Sequence, residues 1–326
     1  MVKRNYLFCF ILFSVFSFAF SLVDTRQVEI TNGLVRAKLS LPNKETGYYQ
    51  ATRFDWSGII NSLNYKGHSY FEEWFGTYDP KKNDAITGPV EEFTQIGYES
   101  APVGGEFLKI GVGMLRKADE KPYSIFSLYD IANAGTWKVK PGKDKVEFTH
   151  ELKDASGYSY IYRKTVKLVK GKPELVLEHS LKNTGQKLIE TTVYNHNFFV
   201  IDKEPTGPAI KIKFPFDIVG KGQGIGTVAE INGSELNYLR ELKRNENVYL
   251  GDITGYGATE KDYNFQIENL KTGAGVKIKG DKPLAKMIFW SSSTTSCPEP
   301  YINVKAQAGQ EFKWVNSYEF YVKDKK

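Results

Sequence analysis

Over most of the chain apolar and polar side chains alternate with a period of two. That is the repeat of a half-buried strand, whose successive side chains point to opposite faces of a sheet. Val35, Ala37 and Leu39 alternate with Arg36 and Lys38, and residues 27–30 precede them across Asn32-Gly33, a two-residue turn signal, so 27–41 reads as a hairpin. Further strands are predicted over 48–56, 59–63, 107–115, 124–129, 135–140, 145–152, 158–169, 174–181 and 188–194. Turn pairs such as Ser57-Gly58, Pro141-Gly142, Ser156-Gly157 and Lys170-Gly171 divide them. The habit continues over 210–216, 228–231, 247–251, 263–269, 275–279, 284–290, 301–306 and 311–322, and only 234–242 is expected to form a short helix.

So much strand without alternating helices predicts an all-β fold, one large antiparallel two-sheet domain. No Pro/Ser-rich or low-complexity linker divides it. Residues 70–106 break the pattern, with Trp74, Phe75, Tyr78, Phe93 and Tyr98 interleaved among glycines and prolines. A run of this length exceeds an ordinary connection. It is expected either to wall a cleft, since ring faces suit the C–H surface of a sugar, or to pack over a sheet edge, and the two are compatible. In 107–115, Gly111 and Gly113 form a G-x-G with no third glycine and no following helix. They mark a bulge or a close backbone approach instead of a nucleotide loop.

At the N-terminus, Lys3 and Arg4 precede a nearly unbroken apolar run over 7–20, and Ala19 and Ser21 stand where a signal peptidase reads. Residues 1–21 are therefore expected to be a cleaved signal peptide and 22–326 the mature domain, periplasmic or secreted and free of the membrane after cleavage. Asp24 and Arg26 follow too soon for a spanning anchor. Loss of Cys9 with the signal leaves Cys297 alone, so no intrachain disulfide is expected. The formal net charge of +6 falls to +4 without Lys3 and Arg4, and basic residues are interspersed with acidic ones. No cluster could neutralise many phosphates, which excludes a nucleic-acid partner.

Candidate chemistry centres on two residues. His196, in Tyr194-Asn195-His196-Asn197-Phe198-Phe199, ends a predicted strand, and an imidazole with an ordinary pKa of roughly 6.5 exchanges protons near neutrality. Glu299 is held between Pro298 and Pro300 and is its natural complement as acid or base. His68 lies in a turn, and His150 and His179 lie inside strands; all three read as structural.

Asn195-His196-Asn197-Phe198-Phe199 resembles the Asn-His-x-Tyr/Phe-Phe segment of the aldose 1-epimerases of the galactose mutarotase superfamily. Glu299-Pro300, followed by a strand and then Ala308-Gly309-Gln310-Glu311-Phe312-Lys313-Trp314, is similar to that family's Glu-Pro element and Pro-Gly-Glu-x-Trp-type strand. Asn183-Thr184-Gly185 resembles its Thr-Asn-x-Gly turn before the histidine strand, so the likeness runs over about residues 26–324. The resemblance implies a large antiparallel β-supersandwich acting on a mono- or oligosaccharide. It makes His196 the general acid and Glu299 the general base, with no metal or organic cofactor. Family members place a further histidine and an arginine in the N-terminal half, yet residues 70–116 contain no histidine. Lys109 or Arg116 is expected to stand in for the arginine, with Trp74, Phe75 and Tyr301 as sugar platforms and Asn195 as a sugar-binding amide. Two other readings stay open. One is a non-catalytic carbohydrate-binding protein; the other is a polysaccharide-processing enzyme, in which Glu299 would need a second carboxyl from Glu72, Glu73, Glu91 or Glu92.

Overall fold

The alternating pattern folds as strands throughout residues 27–323, the residues that the computed structural model describes. The expected signal peptide, residues 1–21, lies outside them. The first strands are β1 (Gln27–Thr31), β2 (Val35–Ser40), β3 (Ile59–Tyr65), β4 (His68–Phe71), β5 (Val90–Phe93), β6 (Glu106–Lys109), β7 (Gly113–Arg116) and β8 (Asp130–Asn133). A meander follows as β9 (Thr136–Pro141), β10 (Lys145–Lys153), β11 (Ser159–Leu168), β12 (Glu174–Asn183) and β13 (Ile189–His196). The remainder are β14 (Ile210–Lys213), β15 (Ala229–Asn232), β16 (Glu235–Tyr238), β17 (Val248–Leu250), β18 (Asn264–Asn269), β19 (Ala274–Gly280), β20 (Lys286–Ser291), β21 (Ser296–Ala306) and β22 (Glu311–Val322). Among the described residues the only helix is one 3-10 turn, Glu260–Asp262, and no helix is long and apolar enough to cross a membrane.

All pairings between strands are antiparallel. A ten-stranded sheet, β15-β16-β14-β18-β19-β22-β12-β11-β10-β9, faces a five-stranded sheet, β17-β20-β21-β13-β5, with smaller sheets β1-β2-β3-β4 and β6-β7-β8 beside them. This is the expected all-β, large-sheet antiparallel sandwich. Strand parity sorts the five-stranded sheet: Phe93 on its inner face sits 5.4 Å from the Tyr162 ring and 6.1 Å from Trp314, both on the ten-stranded sheet. The neighbours Glu92 and Tyr194 point the other way, into a cavity.

Four expected elements differ. Residues 48–56 are irregular: Asp55 N–H donates to Glu91 C=O (2.9 Å) and Trp56 N–H to Gly111 C=O (3.2 Å), so tertiary bonds replace a ladder. Residues 107–115 are not one strand but the β6–β7 hairpin. Gly111 turns it with φ +80, and a Cβ there would come within 2.6 Å of Asp55 Oδ1. Residues 124–129 form a turn, and β8 begins after them. The helix expected over 234–242 is instead the hairpin strand β16, which buries Leu236 and Tyr238 alternately. Its turn, Gly233-Ser234 with φ +57 at the glycine, is a two-residue hairpin signal that outweighs the apolar spacing.

Candidate active site

The outer face of the five-stranded sheet is the floor of a cavity of about 930 Å³. Cross-strand register builds it row by row. Glu92 faces Tyr194, Tyr194 faces Tyr301, and Tyr301 faces Lys286, so these four side chains form one row across β5, β13, β21 and β20. Two residues further along the same register, His196 of β13 falls opposite Glu299 of β21. Pro298 and Pro300 have no N–H, and the β13–β21 ladder stops at Tyr194–Tyr301 while the β20–β21 ladder runs on. The two reactive side chains therefore stand where the main chains are not tied together.

His196 Nε2 lies 3.3 Å from Glu299 Oε1, and both side chains are almost fully buried. The imidazole stacks on Phe198 (3.8 Å between centroids, 9°) and meets the rings of Phe54 and Trp290 at steep angles. Its Nδ1 has no hydrogen-bond partner among the described residues. Burial lowers the His196 pKa well below its usual value, with the Arg53 charge adding to the effect. Burial raises Glu299 to about 8; Arg53 and Lys286 oppose the rise and Glu92 adds to it. Near neutrality the contact is thus between a neutral imidazole and a protonated carboxyl, carrying one exchangeable proton, and not an ion pair.

A charged lattice borders this pair. Arg53 donates from Nε to Glu92 Oε2 (2.8 Å), from one terminal nitrogen to Asp84 Oδ1 (2.5 Å) and from the other to Tyr194 Oη (3.2 Å). Its guanidinium lies 4.5 Å from the centroid of Phe54, a cation–π distance. Glu92 also accepts from Tyr194 Oη and from Lys109 Nζ (3.2 Å). Burial alone would raise the Glu92 pKa, but Arg53 and Lys109 outweigh it and hold the carboxylate below its usual range. Trp74, Trp290, Tyr301, Tyr249, Tyr123 and Phe126 supply the aromatic surface of the cavity. Among the described residues no group of three or more His, Cys, Asp or Glu side chains could hold a metal ion.

Of the residues singled out in the sequence, His196, Glu299, Trp74, Tyr301 and the candidate second carboxyl Glu92 share this cavity. The others do not line it. Lys109 sits behind Glu92, buried. Arg116 is half-exposed and pairs with Glu106 at 3.5 Å, so neither takes the place expected for the arginine. Phe75 packs on Trp74 and Tyr78 outside the cavity. Asn195 has the wrong parity: it points inward and donates to Glu91 Oε1 (2.9 Å). The cationic position belongs to Arg53, which sequence reasoning missed along with Asp84, Trp290 and Lys286. A signal existed, since Arg53 and Asp55 are charges embedded among Tyr49, Ala51, Phe54 and Trp56.

Neither a protein-family model nor a curated protein matches the sequence. Solved structures match along nearly the whole chain. A GalM/aldose epimerase homologue from C. elegans is 13% identical, with 91% of this chain and 99% of that one covered and a TM-score of 0.56. A galactose mutarotase-like protein from Lactobacillus casei is 14% identical over 90% and 100%, with a TM-score of 0.54. A putative aldose 1-epimerase from Escherichia coli K12 is 12% identical over 91% and 99%, with a TM-score of 0.51. The chain is thus a distant but consistent structural match to the galactose mutarotase/aldose 1-epimerase superfamily, and identities this low show the fold alone.

Proposed function

We propose that this chain, folded like the galactose mutarotase superfamily, is an exported carbohydrate-active protein that interconverts sugar anomers by proton transfer at His196 and Glu299. The observation that carries the reading is the 3.3 Å approach of His196 Nε2 to Glu299 Oε1 on the floor of an aromatic-lined cavity. Mutarotation removes the proton of the anomeric hydroxyl and supplies one to the ring oxygen; the opened aldehyde turns and recloses, and both protons return. Two groups that together hold one proton suffice. Between the depressed pKa of His196 and the raised pKa of Glu299, about 8, the pair holds one. The sequence pattern points to an imidazolium acid and a carboxylate base. Burial disfavours both charges, so the proton rests on Glu299, and its passage to His196 across the contact generates that charged form once a sugar is bound.

NMR measurement of anomer exchange on a panel of hexoses, pentoses, deoxy sugars and uronates tests the reading. Glu299→Gln and His196→Asn are each expected to slow exchange about 100-fold or more, the scale of a positioned proton-transfer group. Exchange unchanged in Glu299→Gln would exclude the mechanism. Binding of sugars without exchange of any of them would leave a carbohydrate-binding protein.

One observation favours a second reading, a polysaccharide-processing enzyme. Glu92 and Glu299 line the same cavity with pKa values pushed in opposite directions, the pattern of a carboxylate working beside a carboxylic acid. It ranks second because the oxygens of Glu92 already accept from Arg53, Lys109 and Tyr194, which makes it a weak base. Release of new reducing ends from a polysaccharide would reverse that order.

A further inference from the structure

From the reacting pair the cavity runs along the strands in both directions, one row on to Trp290 and Tyr249 and two rows back to Thr192 and Asn303. Along β13 the lining residues are His196, Tyr194 and Thr192, and along β21 they are Glu299, Tyr301 and Asn303. Four strand residues at 3.2–3.4 Å each span roughly 13 Å, more than one pyranose ring. The cavity volume of about 930 Å³ stands near the top of the range of roughly 300–1,000 Å³ typical of ligand pockets. The far end is polar: Thr94 Oγ1 and Thr192 Oγ1 lie 2.7 Å apart, and the side-chain amides of Gln95 and Asn303 bond no other described residue. At the mouth stands Phe126, with 71% of its surface exposed, above the Arg53 guanidinium at one edge of the sheet. Tyr249, on β17, stands at the opposite edge, in the row of Trp290 on the other side of the reacting pair from Thr192 and Asn303.

Charge adds a second constraint. Arg53 and Lys109 are balanced by Asp84 and Glu92. Lys286 lines the middle row with its ammonium 5.9 Å from the Tyr301 ring, and among the described residues no carboxylate lies within ion-pair distance of it. A carboxyl whose charge it influences is Glu299, which is protonated below about pH 8. The cavity therefore offers one uncompensated cation about 7 Å along the strands from the reacting pair.

We infer that the substrate is an acidic oligosaccharide lying along β13 and β21, its reacting end at His196 and Glu299 and a carboxylate or sulfate of the following unit at Lys286. The inference rests on the reading of this cavity as a sugar-processing site. Thr192, Asn303 and Gln95 then take hydroxyls of the more distant units, and Phe126 flanks the chain beside Arg53.

Calorimetric titration with uronate and sulfated sugars of one to three units, beside neutral sugars of the same sizes, tests it. Affinity is expected to rise about tenfold or more with chain length, and about tenfold for acidic over neutral chains, the scale of hydrogen bonds to a charged group. Lys286→Gln should abolish the preference for acidic chains, and Asn303→Ala should weaken trisaccharides more than monosaccharides. Neutral chains binding as tightly as acidic ones, single sugars binding as tightly as trisaccharides, or no acidic chain in the panel binding would each overturn the inference. Anomer exchange measured on the same samples separates the two claims. Exchange of sugars without preference for size or charge upholds the proton-transfer reading and removes this one. Selective binding of acidic chains without exchange upholds this one and removes proton transfer.

Discussion

At the scale of residues, the site is governed by burial opposing charge. Glu299 is raised to about 8 by burial and His196 is depressed, so the singly protonated pair exists from well below pH 6.5 up to about pH 8. Turnover should therefore be flat through neutrality and fall above about pH 8 as Glu299 loses its proton, with an acid limb only where His196 becomes charged; a pH–rate profile of anomer exchange reads both limbs. The same shift acts on stability. A carboxyl whose folded pKa lies above its unfolded value binds more protons when folded, so its contribution declines as pH rises from about 4.5 to about 8. Glu299→Gln has no such charge to bury. Its melting temperature relative to the parent should climb across that interval, and thermal scans at pH 5 and pH 8 giving equal differences would contradict the assigned shift. His196 and Glu299 were legible in the sequence because each sits in an unusual local setting, one between amides and one between prolines. Arg53 was not, because it comes from an irregular segment whose place over β5 is fixed by bonds to Glu91 and Gly111 that no local pattern encodes.

At the scale of elements, β5 joins the two sheets through adjacent acids of opposite parity. Glu92 serves the cavity, whereas Glu91 points into the sandwich, where it accepts from Lys164 Nζ, His179 Nε2 (2.8 Å) and Asn195 Nδ2 (2.9 Å). Lys164 and His179 face each other across β11 and β12, so one carboxylate pins two strands of the ten-stranded sheet to β5 and β13. Burial alone would raise Glu91, but Lys164 and His179 hold it at about 2. Lys164→Met strands a buried carboxylate and is expected to cost about 3–5 kcal/mol in denaturant unfolding, whereas adding Glu91→Leu should restore part of the loss. A double variant no more stable than Lys164→Met alone would show that the ion pair is not what Lys164 contributes. Period two announced most strands near their observed bounds, since parity is a local property. It failed at 48–56, 107–115 and 124–129, where tertiary bonds or turns decide the conformation, and the helix expected over 234–242 gave way to a hairpin at a glycine turn.

At the scale of the whole molecule, sheet order was beyond the sequence pattern. The carboxyl-terminal β22 lies between β12 and β19, and the short β5 at the edge of the smaller sheet lies beside β13, pairings of long sequence separation. Cys297 is the only cysteine among the described residues; it is free and wholly buried, so packing between sheets, with no disulfide among the described residues, supplies the stability. Burial also raises its thiol pKa well above the usual value, with the neighbouring Glu299 charge as a lesser cause, which suppresses the reactive thiolate. The native protein should not react with Ellman's reagent over minutes, and a reductant should leave its melting temperature unchanged. The unfolded protein then tests the N-terminal expectation through Cys9, which lies in the apolar run before the expected cut. Protein recovered after export and unfolded in guanidinium should titrate one thiol per chain, from Cys297 alone. Two thiols per chain would mean that residues 1–21 had been retained, and the expectation of a cleaved signal would be withdrawn while the reading of the cavity stood.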